Sequence, residues 1–114
     1  MHELSIAIAL VDQIVEYAGA NQLSRVDEVE IETGVLRQVI PEMMQTAFKE
    51  ATGQTIVSEA ILRIKEISAK ARCRQCAMEF EPEIDNFLCP GCQRADVDIL
   101  QGNEIILKSI SCNA

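Results

Sequence analysis

Cys73-Arg74-Gln75-Cys76 and Cys89-Pro90-Gly91-Cys92 are two C-x-x-C pairs separated by twelve residues. Each pair can close a tight turn that aims two thiolates at one point, and Pro90 and Gly91 supply turn chemistry in the second. Four thiolates form the tetrahedral sulfur set that suits zinc. They leave no open coordination position, so a zinc ion held here is expected to be structural. Tetrahedral sulfur also fits iron, which keeps a rubredoxin-like electron carrier open. A redox dithiol fits less well, because the pair occurs twice and no thioredoxin pattern surrounds it. The only histidine is His2, so no local imidazole can join the set. The apolar residues of 70–101 are few (Met78, Phe80, Ile84, Phe87, Leu88, Val97, Ile99 and Leu100). Metal binding in such modules contributes on the order of 10 kcal/mol to folding, so this one is expected to loosen without metal.

Outward from the cysteines the chain reads as an α/β domain. Leu4, Ala7, Ile8, Val11, Ile14, Val15 and Ala18 recur at helical spacing over residues 4–18, and Gly19 and Asn21 supply a stop. Residues 26–33 alternate: Val29, Ile31 and Thr33 face one way, Glu28, Glu30 and Glu32 the other, as in a strand with a dry face and an acidic wet face. Gly34 is expected to break that strand. Pro41 and Glu42 suit the start of a second helix, with Met43, Met44, Ala47, Phe48 and Ala51 at its apolar spacing and Gly53 as its stop. The methionines read as core packing rather than as soft-metal ligands. Leu62 and Ile64 mark a strand over 60–67, and an intervening helix makes a parallel crossover the expected connection. Glu104–Ser111 reads as a third strand. The expected fold is therefore α/β: two helices on a small three-stranded mixed sheet, with an inserted four-cysteine zinc-ribbon-like module. The corresponding domains are 1–69 plus 102–114, and 70–101.

The 114 residues are 48% hydrophobic and 25% charged, within the range of a small globular protein. Tryptophan is absent, so the core must be aliphatic. A formal charge of −8 argues against a nucleic-acid or anionic-membrane binder, which needs basic surface. No apolar run approaches the length of a membrane span. Leu4–Val11 follows His2-Glu3 without a basic leader or a cleavage site, so it is not expected to be a secretory signal. The five cysteines are then expected to be reduced or metal-bound in a cytoplasmic protein. Cys112 stands outside both pairs and reads as a small apolar residue ending the last strand. With one histidine and a closed sulfur site, an enzyme is not expected.

The amino terminus carries a second donor set. His2 is bulky, so Met1 is expected to be retained. The α-amine of Met1, the backbone nitrogen of His2 and its imidazole can chelate one metal through fused rings, and the backbone nitrogen of Glu3 can supply a fourth donor. Nitrogen donors in a plane suit Ni(II) or Cu(II). A lone exposed histidine is also commonly incidental, and a helix start disfavours a cation.

Met1-His2-Glu3, Ile31-Glu32-Thr33-Gly34, the two cysteine pairs and the run Gly102-Asn103-Glu104 to Ile110 together resemble the HypA/HybF family of nickel metallochaperones. The resemblance covers essentially the whole chain. It implies delivery of Ni(II) to the large subunit of [NiFe] hydrogenase with a HypB-like GTPase, and in some members service to urease through its maturation proteins. It implies nickel ligation by His2, by the Met1 amine and by the Glu3 backbone, and zinc ligation by Cys73, Cys76, Cys89 and Cys92. A monomer or homodimer is expected.

Overall fold

The computed structural model describes residues 2–112. Helix α1 spans His2–Ala20 and buries Ala7, Leu10, Val11, Ile14 and Ala18. Two members of the expected stripe are not core: Ile8 and Val15 lie exposed, and Leu10 takes the buried position instead. The helix ends later than Gly19. Gln22 adopts a positive φ of 59°, and the Leu23 N–H donates to the Ala18 carbonyl at 2.8 Å, closing a Schellman-type cap.

Strand β1 (Glu28–Gly34) keeps the expected alternation, with Val29, Ile31 and Thr33 buried and the three glutamates partly covered. A single 3-10 turn, Val35–Arg37, leads to helix α2 (Pro41–Thr52), where Pro41 occupies the first turn. Proline is tolerated there because the first amides of a helix have no intrahelical acceptor. Helix α2 buries Met44, Ala47, Phe48 and Thr52 and packs on α1. Met43, expected in the core, faces solvent.

Strand β2 (Ile61–Ile67) follows, and β6 (Ile105–Ser111) closes the first sheet in the order β2-β1-β6. The Ile61 N–H donates to the Asp27 carbonyl at 3.0 Å, joining the starts of β1 and β2, so that pair is parallel. Strand β6 runs the other way: the Asp27 N–H reaches the Ser111 carbonyl at 2.9 Å, and the Gly34 N–H reaches the Glu104 carbonyl at 2.7 Å. The sheet is therefore mixed: the helical crossover accounts for the parallel β1/β2 pair, and β6 adds the antiparallel one.

The segment that carries the cysteines, expected as a zinc-ribbon-like module, is built from short strands. It forms β3 (Lys70–Cys73), β4 (Glu79–Phe80) and β5 (Val97–Gln101), an antiparallel sheet ordered β4-β3-β5. Its inward residues on β3 are Ala71 and Cys73. These are small, and neither is a strong strand former. The exposed side of β3 is held by charge, with Arg72 bonded to Glu79 and Arg74 reaching Asp98.

The chain divides into two compact units. One is built from the stretch ending at Ile31, from Val39–Lys65 and from the stretch beginning at Ile106; the other is Glu32–Gln38 with Glu66–Ile105. The first holds a conventional core around Ile14, Ile31, Met44, Val29 and Val57. Within the second, Gly34 and Gly102 meet backbone to backbone. A Cβ on Gly34 would lie 2.2 Å from the carbonyl carbon and oxygen of Gly102. Gly34 is thus a close-approach residue and not a strand breaker; it belongs to β1.

Backbone atoms cannot yield as a flexible side chain can. Gly34→Ala should therefore lower stability by about 2 kcal/mol or more. Gly19→Ala, where a Cβ meets nothing within 4 Å, should instead add about 0.5–1 kcal/mol through helix propensity. Denaturant unfolding of the two variants beside the parent checks both signs.

Candidate metal centre

The two C-x-x-C pairs fold into the same turn twice. In the first, the Cys73 N–H donates to the Met78 carbonyl at 2.9 Å and the Ala77 N–H returns to the Cys73 carbonyl at 2.9 Å. In the second, the Cys89 N–H donates to the Arg94 carbonyl at 2.8 Å and the Gln93 N–H returns to the Cys89 carbonyl at 2.8 Å. Ala77 and Gln93, each four residues after the leading cysteine, both have positive φ, 61° and 64°. The left-handed residue reverses the chain just past the second thiol of each pair. Neither position holds the glycine or asparagine that would announce it.

The paired turns bring all four sulfurs to within 4.8 Å of one another. Cys73 Sγ lies 3.4 Å from Cys92 Sγ, and Cys76 Sγ lies 3.5 Å from Cys89 Sγ. Four sulfurs about 2.3 Å from a central zinc would be spaced by about 3.8 Å, so the cluster fits a tetrahedral ion with little movement. Burial divides by order in the pair. Cys73 and Cys89 are buried, while Cys76 is exposed and Cys92 half-buried.

The leading thiols are also the more acidic ones. The backbone N–H of Cys76, with that of Gln75, points at Cys73 Sγ and lowers its pKa to about 7. The backbone N–H of Cys92, assisted by that of Gly91, lowers Cys89 in the same way. An N–H aimed at sulfur favours the charged form. Cys92 is pushed up to about 11, chiefly because it donates to the Cys73 sulfur. Without metal, the cluster holds a thiolate by sharing the protons of its neighbours; a cation replaces those protons.

Around the first turn, Arg74 bonds Asp96 at 3.0 Å and Asp98 at 2.7 Å, and Gln75 donates to Asp96 at 3.0 Å. Gln75 and then Arg74 hold the Asp96 carboxyl below its ordinary range. These groups are exposed, so they fix the turn against β5 more than they add stability. Gly91 leaves room for Met78, whose sulfur a Cβ there would approach at 3.0 Å.

His2 and Glu3 open α1 and belong to the first unit; the cysteines belong to the second. Met1 lies outside the described residues. The His2 side chain is exposed, and its Nδ1 sits 3.7 Å from Glu3 Oε1. The Glu3 carboxylate is buried, which the sequence did not disclose, and its Oε2 accepts the Ile40 N–H at 3.4 Å. Residue 40 caps α2, so Glu3 ties the start of one helix to the start of the other. Cys112 follows β6, half-buried and away from the cluster sequence.

A family model described as "Hydrogenase/urease nickel incorporation, metallochaperone, hypA" matches residues 1–112. The chain belongs to the HypA family. A hydrogenase maturation factor HypA from Geotalea daltonii is 38% identical over 111 residues, covering 97% of this chain and 98% of the relative. A factor of the same name from Aquifex aeolicus is 36% identical over 110 residues, covering 96% of each. The solution structure of the Ni metallochaperone HypA from Helicobacter pylori superposes with a TM-score of 0.71 at 28% identity, covering 95% of this chain and 94% of that one. The family is one of metallochaperones for hydrogenase and urease nickel incorporation, not of enzymes. No helix among the described residues is long and apolar enough to cross a membrane.

Uptake of a metal at pH 7 should release fewer than four protons, because Cys73, at about 7, is already half ionised and Cys89 is lowered too. Calorimetry in buffers of different ionisation heat reads that number. It should fall toward pH 9 and rise toward four near pH 5, where binding weakens. Removal of the metal by a chelator should strip amide-exchange protection from residues 70–101 while that of α1 persists.

Proposed function

We propose that this chain carries Ni(II) to the large subunit of [NiFe] hydrogenase, exchanging it with a HypB-like GTPase, and that it holds a structural zinc at Cys73, Cys76, Cys89 and Cys92. The observation that carries the reading is the family match over residues 1–112. The closed four-sulfur cluster in the second unit supports it, because that cluster offers a cargo metal no open position. Urease maturation proteins are further recipients consistent with the family's description. The proposed setting is the cytoplasm, and the proposed assembly a monomer or homodimer. The proposed nickel-binding domain is 1–69 with 102–114, and the proposed zinc domain is 70–101.

The cargo site proposed is the Met1 amine, the His2 backbone nitrogen and imidazole, and the Glu3 backbone nitrogen. Two features of the described residues support it. His2 and Glu3 stand in the first turn of α1, where backbone N–H groups have no intrahelical acceptor. Their nitrogens can bind a metal without breaking the helix. The His2 imidazole is exposed, so a recipient's ligand can approach the cargo from solvent. The helix start disfavours a cation, and the Glu3 carboxylate beside His2 opposes that field.

The test uses calorimetric titration with Ni(II) at neutral pH. An N-terminal extension turns the amine into an amide, and His2→Ala removes the imidazole. Each should weaken nickel binding at least tenfold, about 1.4 kcal/mol or more, while zinc content stays unchanged. Acidification should weaken nickel binding, because protons compete with the metal for these donors. Unchanged affinity in the extended protein would overturn the assignment to the terminus.

A further inference from the structure

Between the start of α1 and α2 the first unit holds a groove of about 320 Å³. Its apolar surface comes from Leu4, Met43 and Ala47, and its carboxylates are Glu3, Glu42 and Glu50. No lysine or arginine lines it. Two features set it apart from a solvated acidic face. Met43 falls at the apolar spacing of α2 yet lies 43% exposed, so an apolar side chain at the groove is left uncovered. Glu3, which is only 6% exposed, has one carboxylate oxygen without a hydrogen bond among the described residues. The Ile40 N–H serves Oε2 at 3.4 Å, and the nearest charge partner of Oε1 is His2 Nδ1, at 3.7 Å. No buried side-chain oxygen among the described residues lacks a partner, so this second oxygen is reached from solvent and is open to a cationic group.

We propose that this groove docks a partner-protein segment presenting a lysine or arginine among apolar side chains. The aliphatic stem lies along Leu4, Met43 and Ala47, and the cationic head reaches Glu3 between Glu42 and Glu50. Charge complementarity selects that occupant over a second copy of this chain, which carries −8 itself. The inference rests on the nickel reading in one respect. Glu3 is the carboxylate beside His2, so a cation drawn to Glu3 weakens the field that favours a metal on His2. Docking and nickel then oppose one another, and by linkage each lowers the affinity of the other by the same factor.

The test is run first without nickel, on the zinc-loaded full chain. The probe is a short amphipathic peptide of alternating leucine-rich and arginine-rich faces. A peptide of equal charge with serine for leucine serves as control. NMR titration should shift the amides of Leu4, Met43 and Ala47 with the leucine peptide and leave them nearly still with the serine one. Glu42→Gln with Glu50→Gln should weaken binding at least about fivefold, whereas Asp12→Asn with Glu16→Gln, on exposed positions of α1, should not. Met43→Ser tests the apolar contact separately, and its folding is checked by its spectrum. Shifts spread over Glu30 and Glu32, equal response to both peptides, or concentration-dependent shifts without peptide that report self-association would each overturn the proposal. A nickel titration with saturating peptide should then show several-fold weaker nickel binding. Docking without that loss overturns the coupling alone. Loss of nickel binding in the peptide-free protein bears on the nickel reading and leaves the docking result standing.

Discussion

Four sulfur atoms stand where the second unit would otherwise keep an apolar core. Its buried apolar side chains are Ala69, Ala71 and Pro82, beside the thiols of Cys73 and Cys89. Met78, Ile84, Leu88, Ile99 and Leu100 all face solvent. Burial of two alanines, a proline and two thiols yields only a few kcal/mol, at about 25 cal/mol per Å². Phe80, Phe87, Val97 and Ile105 add half-buried apolar surface, set against about 1–2 kcal/mol of backbone entropy for each residue ordered. Convergence of the thiols on a metal is therefore the constraint on which its three short strands depend. The two turns are built to deliver it, each with two N–H groups aimed at a leading sulfur that is thereby half prepared as a ligand.

The first unit is organised by the opposite means. Its aliphatic core fixes α1 and α2 on the sheet, and the rigidity of α1 fixes where His2 emerges. The buried Glu3 carboxylate links that emergence to α2 through the Ile40 amide. His2 can thus be exposed and still be held close to one orientation, since the helix that contains it is packed along its other face. A cargo site must be reachable by ligand exchange. A structural site must not be, and the closed cysteine cluster meets that second condition by using every position for protein sulfur.

Much of this was legible in the sequence because it follows from period and spacing. Alternation marked β1, the 3.6 period marked both helices, and the spacing of the cysteines marked a cluster that the structure closes to within 4.8 Å. The parallel crossover followed from a helix between β1 and β2. What was not legible has physical causes. Ile8, Val15 and Met43 lie on the margins of apolar stripes, and pattern alone cannot tell the buried centre of a stripe from its edge. The individual strands β3 to β5 escaped because β3 turns only Ala71 and Cys73 inward, β4 is two residues long, and β5 leaves Ile99 and Leu100 exposed, a composition that a metal permits and an apolar core would not. Ala77 and Gln93 gave no sign of their positive φ. Gly34 was visible as a special residue, but only the approach of Gly102 shows that it is needed for packing within the sheet. The side chain of Glu3 was silent too, because a glutamate in the first turn of a helix is ordinarily solvated and dipole-favoured.

The proposed nickel site and the four-cysteine cluster differ in donor chemistry, and that difference would keep their ions apart. Thiolates in a tetrahedron are soft, negatively charged and mutually crowded, which suits zinc and offers no geometric preference that nickel can exploit. Backbone nitrogens at a helix start bind only when they lose their protons, and they impose a planar arrangement. Zinc, with a filled d shell, gains nothing from such a plane, whereas Ni(II) does. The separation of the donor sets into different units then has a further consequence. Deprotonated thiolates approaching the terminal site would capture its cargo, because sulfur outcompetes imidazole for soft cations. In this chain the thiols are committed to one another: Cys73 to Cys92 and Cys76 to Cys89 at 3.4 and 3.5 Å. On the proposed reading, a filled cysteine cluster withholds four thiols from the terminal site and leaves Cys112 as the one thiol outside it.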